Sequence, residues 1–158
     1  MISSPTNNAL LATVREFAAH HSTVSLATRD GAGSLHAANL YVAVDEQFNL
    51  YFLSAPHVRH VLDVGACPDV AGTWYAAVDS PREIHGIQFH GRCVVREDAS
   101  RAEDWARYGR RFPWANDYAT VAADARFFRI EPSWLRWIDN RRGFGFTVES
   151  VWPPGDPH

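Results

Sequence analysis

The feature that most constrains this chain is a succession of short, strand-length segments closed by turn chemistry. The clearest is Ile84 to Arg96, where Ile87, Phe89, Cys93 and Val95 are apolar and Gln88, His90, Arg92 and Arg96 fall on the other face. Period-two alternation of this kind predicts an antiparallel strand with one buried and one polar side. Val24–Thr28 runs into the turn Arg29-Asp30-Gly31-Ala32-Gly33. Leu35–Val44 and Phe48–Leu53 form a hairpin closed by Asp45-Glu46-Gln47, and Val70–Tyr75 precedes the turn Asp79-Ser80-Pro81-Arg82-Glu83. Phe127–Ile130 and Leu135–Ile138 read as closing strands flanking Pro132. Short turns joining these strands argue against a doubly wound parallel sheet, and about six strands with a few helices favour an antiparallel barrel in a mainly β, α+β domain.

Helical spacing occurs in three places. Leu10, Leu11, Val14, Phe17 and Ala18 predict a helix over about 5–20, with Ser4 as N-cap and Pro5 at its first position. Val58, Val61 and Leu62 predict a short helix ending near Gly65. A third runs from Ser100 to Phe112, with Ser100 and Glu103 as a capping box and Pro113 as its stop. Residues 117–125 fit no single period, and the end, 153–158, reads as a loose tail.

Composition narrows the function classes. At 158 residues, 46% hydrophobic and 13% aromatic, residues 1–158 form one domain with one core, not a disordered chain. All fifteen of its Lys+Arg residues are Arg, and the formal charge is −3. That balance argues against binding nucleic acid through phosphate contacts. No segment approaches the ~20 apolar residues of a membrane span, and the N-terminus lacks a secretory pattern. Cys67 and Cys93 are too few for a disulfide framework, so a cytoplasmic location is expected.

Standard catalytic signatures are missing: with no lysine there is no Walker loop, and GxGxxG, GxSxG and HExxH do not occur. Four constellations remain. Ser54-Ala55-Pro56-His57-Val58-Arg59-His60 places a hydroxyl at a strand end and Arg and His at a helix start, which suits an anion. It reads equally as a capped helix and a solvated turn. His36-Ala37-Ala38-Asn39-Leu40-Tyr41 offers small residues that would let a flat group approach the backbone, or that pack under a helix. The histidines form no metal set, since His85 and His90 fall on opposite faces of a strand. Trp134 and Arg136 share a face opposite Trp137, in a segment that suits either the core or an interface.

Together these segments resemble the FMN-binding split barrel of the pyridoxamine 5′-phosphate oxidase-like superfamily. The likeness runs over about residues 8–150 through Val24–Thr28, Leu35–Val42, Leu50–Ser54 with Arg59-His60, Cys67–Ala71 and Gly86–Gly91. Its small YhbP-like branch is similar in Ala71-Gly72-Thr73, Gly86-Ile-Gln-Phe89 with Gly91, Arg110-Arg-Phe-Pro113, and Asp139-Asn140 with Gly143-Phe-Gly145. The resemblance implies a six-stranded Greek-key split barrel and a homodimer with FMN at the subunit interface. It implies phosphate contacts from Ser54, Arg59 and His60, a ring system along Ala38, Asn39 and Leu40 with Thr28 nearby, and Gln88 as a polar contact. His60 departs from the family's usual lysine. The substrate-binding Arg-x-His end of the vitamin B6 oxidases does not occur, so B6 oxidation is not expected. The implied function is a flavoprotein oxidoreductase acting on a small molecule. The alternatives are a non-catalytic flavin or haem protein, with His57, His60 or His90 as iron ligand, or an interaction module with a decayed site.

Overall fold

The computed structural model describes residues 7–153; Ser4 and Pro5 and the tail from 154 onward lie outside them. The chain builds one curled antiparallel sheet with helices packed against it, a split-barrel architecture. Helix α1 (Asn7–His20) leads into β1 (Thr23–Arg29), β2 (Leu35–Tyr41), β3 (Ala43–Val44) and β4 (Leu50–Ser54). Helix α2 (Arg59–Ala66), β5 (Asp69–Tyr75), β6 (His85–Val95), α3 (Arg101–Arg111), β7 (Arg126–Asp139) and β8 (Thr147–Val151) follow. The strand order is β2-β1-β5-β6-β7-β4-β3, with β8 also paired to β7.

Among the described residues eight strands replace the expected six. Leu35–Val44 is not one strand: Val42 and Ala43 are both buried, so the alternation slips there and the chain bends into β3. Phe127–Ile130 and Leu135–Ile138 are one long strand, in which Pro132 sits opposite Gly91 where the β6–β7 register shifts. A proline is tolerated in a sheet at such an irregularity. Val95, expected to face inward, is the last residue of β6 and is half exposed, while Cys93 two residues before it stays buried.

The β3–β4 turn is held by Asp45, whose Oδ1 accepts the Gln47 and Asn49 N–H groups at 3.0 and 2.9 Å. Phe48 belongs to this turn and not to the strand, at φ 65° with its ring fully buried.

The concave side of the sheet holds the core. Leu10, Val14, Phe17 and Ala18 of α1 pack against Trp74, Ile87, Phe89, Ile130, Leu135 and Trp137. Trp137 is therefore a core residue, whereas Trp134 lies on the other face, stacked on His90 at 5.2 Å. The Ser100 capping box does not form. A 3₁₀ turn over Asp98–Ser100 precedes α3, Ser100 is itself helical, and Glu103 accepts Arg107 at 2.8 Å instead.

Candidate functional site: the start of α2 beside the edge of β2

Strand β2 ends the sheet, so one side of its backbone has no strand partner. An edge of this kind presents unpaired N–H and C=O groups. Ala38 and Leu40 point inward and are partly or fully buried, while Asn39 faces outward and accepts Ser25 Oγ–H at 2.7 Å. Both β4 and α2 lie close to β2. The structure thus brings the Ala38–Leu40 backbone near the segment carrying Ser54, Arg59 and His60.

Helix α2 begins without a side-chain cap. Val58 takes the N-cap position and contributes no capping bond, and the first turn holds no acid. The leading N–H groups of a helix have no acceptor inside it and carry positive partial charge, which favours an anion there. Arg59 is exposed at this end. Ser54 lies at the end of β4, with its Oγ 2.6 Å from His60 Nε2. Burial pulls the His60 imidazole below its ordinary value, partly offset by Asp63, so the ring is neutral near pH 7. A neutral ring protonated on Nε2 donates to Ser54 and leaves the serine hydroxyl proton free for an anion. Arg126 stands directly opposite Ser54 in the β4–β7 ladder and is exposed; opposed side chains of such a pair share a face.

Beneath this surface lies a group that spacing did not single out. Asp63 is buried, and its Oδ2 accepts Thr28 Oγ1–H at 2.7 Å and meets His36 Nδ1 at 2.8 Å. Burial pushes its carboxyl up, but the bonds from Thr28 and His36 and the charge of Arg59 outweigh this and hold it below the usual range. The expected apolar face of α2 is therefore different: Asp63 and Val64 face inward, and Leu62 is exposed. Thr28 is 2% exposed and its hydroxyl is committed to Asp63, so its side chain braces α2 on β1. Gln88 lies on the outer face of β6, three strands from β2, or about 14 Å at usual strand spacing. Within one chain it stands apart from Ser54, Arg59 and the β2 edge.

The family profile described as pyridoxamine 5′-phosphate oxidase matches residues 10–139, which include every element of this site. The chain belongs to this family. A UPF0306 protein of Enterobacter is 33% identical over 115 residues, covering 72% of this chain and 77% of its own. A second, from Photorhabdus laumondii, is 27% identical over 135 residues, covering 85% and 91%. Among solved structures, HutZ of Vibrio cholerae, described as a heme storage protein, superposes with a TM-score of 0.67 at 20% identity, covering 77% of this chain and 88% of its own. Among the described residues no helix is long and apolar enough to cross a membrane.

The lowered histidines give this family member a pH-dependent stability. Burial depresses His60, and burial together with His85, His20, Arg111 and Arg141 depresses His21. Just below the ordinary histidine value of 6.5, the unfolded chain binds protons that the folded chain refuses. Stability is therefore expected to fall as pH drops from ~7 to ~5. Thermal melts across that range check this: His60→Asn and His21→Asn should each flatten the curve, and an unchanged slope in both would contradict it.

Proposed function

We propose that the protein binds FMN at the start of α2 beside the edge of β2, as a homodimer, and serves as an oxidoreductase for a small molecule. The observation that carries this reading is the uncapped start of α2. Its free N–H groups, Arg59, and the Ser54 hydroxyl form an anion site beside an unpaired strand edge. The residues fit the group. Ser54, Arg59 and the α2 amides would hold the phosphate, with Arg126 as a second guanidinium on the Ser54 face. The small side chain of Ala38 would let the ring approach, and the β2 backbone would bond its polar rim. Bound FMN supplies two-electron acceptor chemistry, and the protein supplies position and electrostatics. Asp63 contributes by holding α2 against β1 and β2 through Thr28 and His36.

The homodimer reading draws on the outer sheet face. There Asn39, Ser25, Thr73, Gln88 and Arg136 form one cross-strand row. In a dimer built on this face, Gln88 would reach the cofactor of the opposite subunit. Light scattering at micromolar concentration tests the assembly.

Arg59→Ala should weaken FMN by roughly 2–3 kcal/mol, the scale of a charge-assisted bond left unmade. Quenching of flavin fluorescence measures it, and an unchanged Kd would place the phosphate elsewhere. Haem is the second reading, favoured by the likeness to a heme storage protein. Of His57, His60 and His90, His60 is committed to Ser54 and His90 contacts Ser133 and stacks on Trp134, which leaves the exposed His57 imidazole. A Soret band on haem titration, abolished by His57→Ala, would support that reading over the flavin.

A further inference from the structure

At the opposite end of the sheet from α2, two loops are bonded into one unit. Asp139, 5% exposed, accepts Arg141 Nε at 2.7 Å and a second guanidinium nitrogen of the same residue at 2.9 Å. Asn140 Nδ2 donates to the Pro81 carbonyl at 2.7 Å, its Oδ1 accepts the Gly145 N–H at 2.9 Å, and its own N–H donates to the Ile84 carbonyl. The β7–β8 connection is thereby tied to the β5–β6 connection. Between them opens a groove of about 790 Å³, within the range of small-molecule sites.

The lining of this groove is unusual in charge. Arg82, Arg141 and Arg142 contribute three guanidinium groups, and no carboxylate lines it; Asp79 and Glu83 flank the first loop outside it. Asp139 neutralises Arg141. Arg82 and Arg142 have no carboxylate partner among the described residues. Arg142 is held 4.2 Å above the Phe146 ring, which fixes its direction. Ser80 also lines the groove, and its Oγ accepts the Arg82 N–H at 3.3 Å, so its own hydroxyl proton is available to donate.

The last element is Phe144, which is 81% exposed at the groove rim. It sits between Gly143 at φ 145° and Gly145 at φ 80°, conformations that glycine permits and that hold the ring out from the core. A ring so placed gains nothing from folding, but offers a face for stacking.

We propose that this groove binds a small phosphorylated aromatic molecule of the nucleoside monophosphate class. The phosphate lies between Arg82 and Arg142 with the Ser80 hydroxyl as donor, and the base stacks on Phe144. Arginine forks match phosphate oxygens bidentately, and base–aromatic stacking tolerates any base.

Calorimetric titration of the full chain with adenosine 5′-monophosphate, inorganic pyrophosphate and adenosine tests the proposal. The monophosphate should bind, with adenosine at least tenfold weaker. The Arg82→Ala/Arg142→Ala double variant should raise Kd at least tenfold for both phosphate probes. Phe144→Ala should weaken the monophosphate several-fold and leave pyrophosphate unchanged. Arg59→Ala should leave the monophosphate unaffected, which separates this groove from the proposed FMN site. All three substituted groove residues are exposed, so thermal melts should match the parent. No heat at millimolar monophosphate, binding indifferent to the double variant, binding lost in Arg59→Ala, or equal effects of Phe144→Ala on both phosphate probes would each overturn it.

Discussion

Asp104→Ala should lower the unfolding free energy by about 3–5 kcal/mol, the range for removing one partner of a buried ion pair. Asp104 has no exposed surface and accepts Arg96 Nε at 2.9 Å and an Arg107 guanidinium nitrogen at 3.1 Å. Both guanidinium groups also lie over the Tyr51 ring, 5.6 and 4.3 Å from its centre. Tyr51 in turn donates to Asp45 Oδ2 at 3.1 Å. One carboxylate of α3 thus fixes two cations against β4, the strand that ends in Ser54. Without it, both guanidinium groups stay half buried without this acceptor, and α3 loses its hold on the strand. Urea denaturation measures the loss. A change under about 1 kcal/mol, the level of an exposed pair, would show that the network adds nothing.

The second large effect is expected at Phe52, which is 1% exposed on β4. Its ring stacks on Phe128 at 5.2 Å and meets the His60 ring edge-on at 6.0 Å. Phe52→Ala should cost about 3–5 kcal/mol, because the cavity adds to the lost transfer energy. It should also weaken FMN beyond what the unfolded fraction explains, since the cavity opens beneath His60 and loosens its bond to Ser54. Titrating folded protein at low temperature separates the two effects. Full FMN affinity in the destabilised variant would show that His60 keeps its place without Phe52.

Alternation along β6 and helical spacing along α1 correctly marked Ile87, Phe89, Val14 and Phe17 as inward, because each pattern is local. Strand β8 carries a weak signal, since only Val148 and Ser150 turn partly inward and the rest is exposed. Trp152, buried at 4% and donating to the Gln47 carbonyl, was unreadable because that partner lies 105 residues away. The glycines that mark the family likeness also depend on partners. A Cβ at Gly72 would enter the Phe89 ring, and one at Gly91 would strike the Glu131 carbonyl across the strand pair.

At the candidate site, Ser54, Arg59 and His60 were legible as a hydroxyl at a strand end and bases at a helix start. Asp63 was hidden because its partners, Thr28 and His36, are 35 and 27 residues earlier. One local clue existed: Asp63 stands four residues after Arg59 on the same helix face. Such a pair usually signals a solvated turn, and only the packing of α2 on β1 and β2 makes it a buried brace. The Ser100 capping box failed for the converse reason. Its sequence pattern was present, but the 3₁₀ turn over Asp98–Ser100 runs directly into α3, so Ser100 is already helical and lacks the extended backbone of an N-cap.

The most direct test of the central claim is retention of cofactor by the intact protein. The purified chain is incubated with equimolar FMN and haemin together, passed through a desalting column, and its absorption spectrum recorded. The flavin band is expected to travel with the protein in the parent and to be lost in Arg59→Ala. A folded parent that elutes without flavin, or that carries a Soret band in its place, would contradict the account.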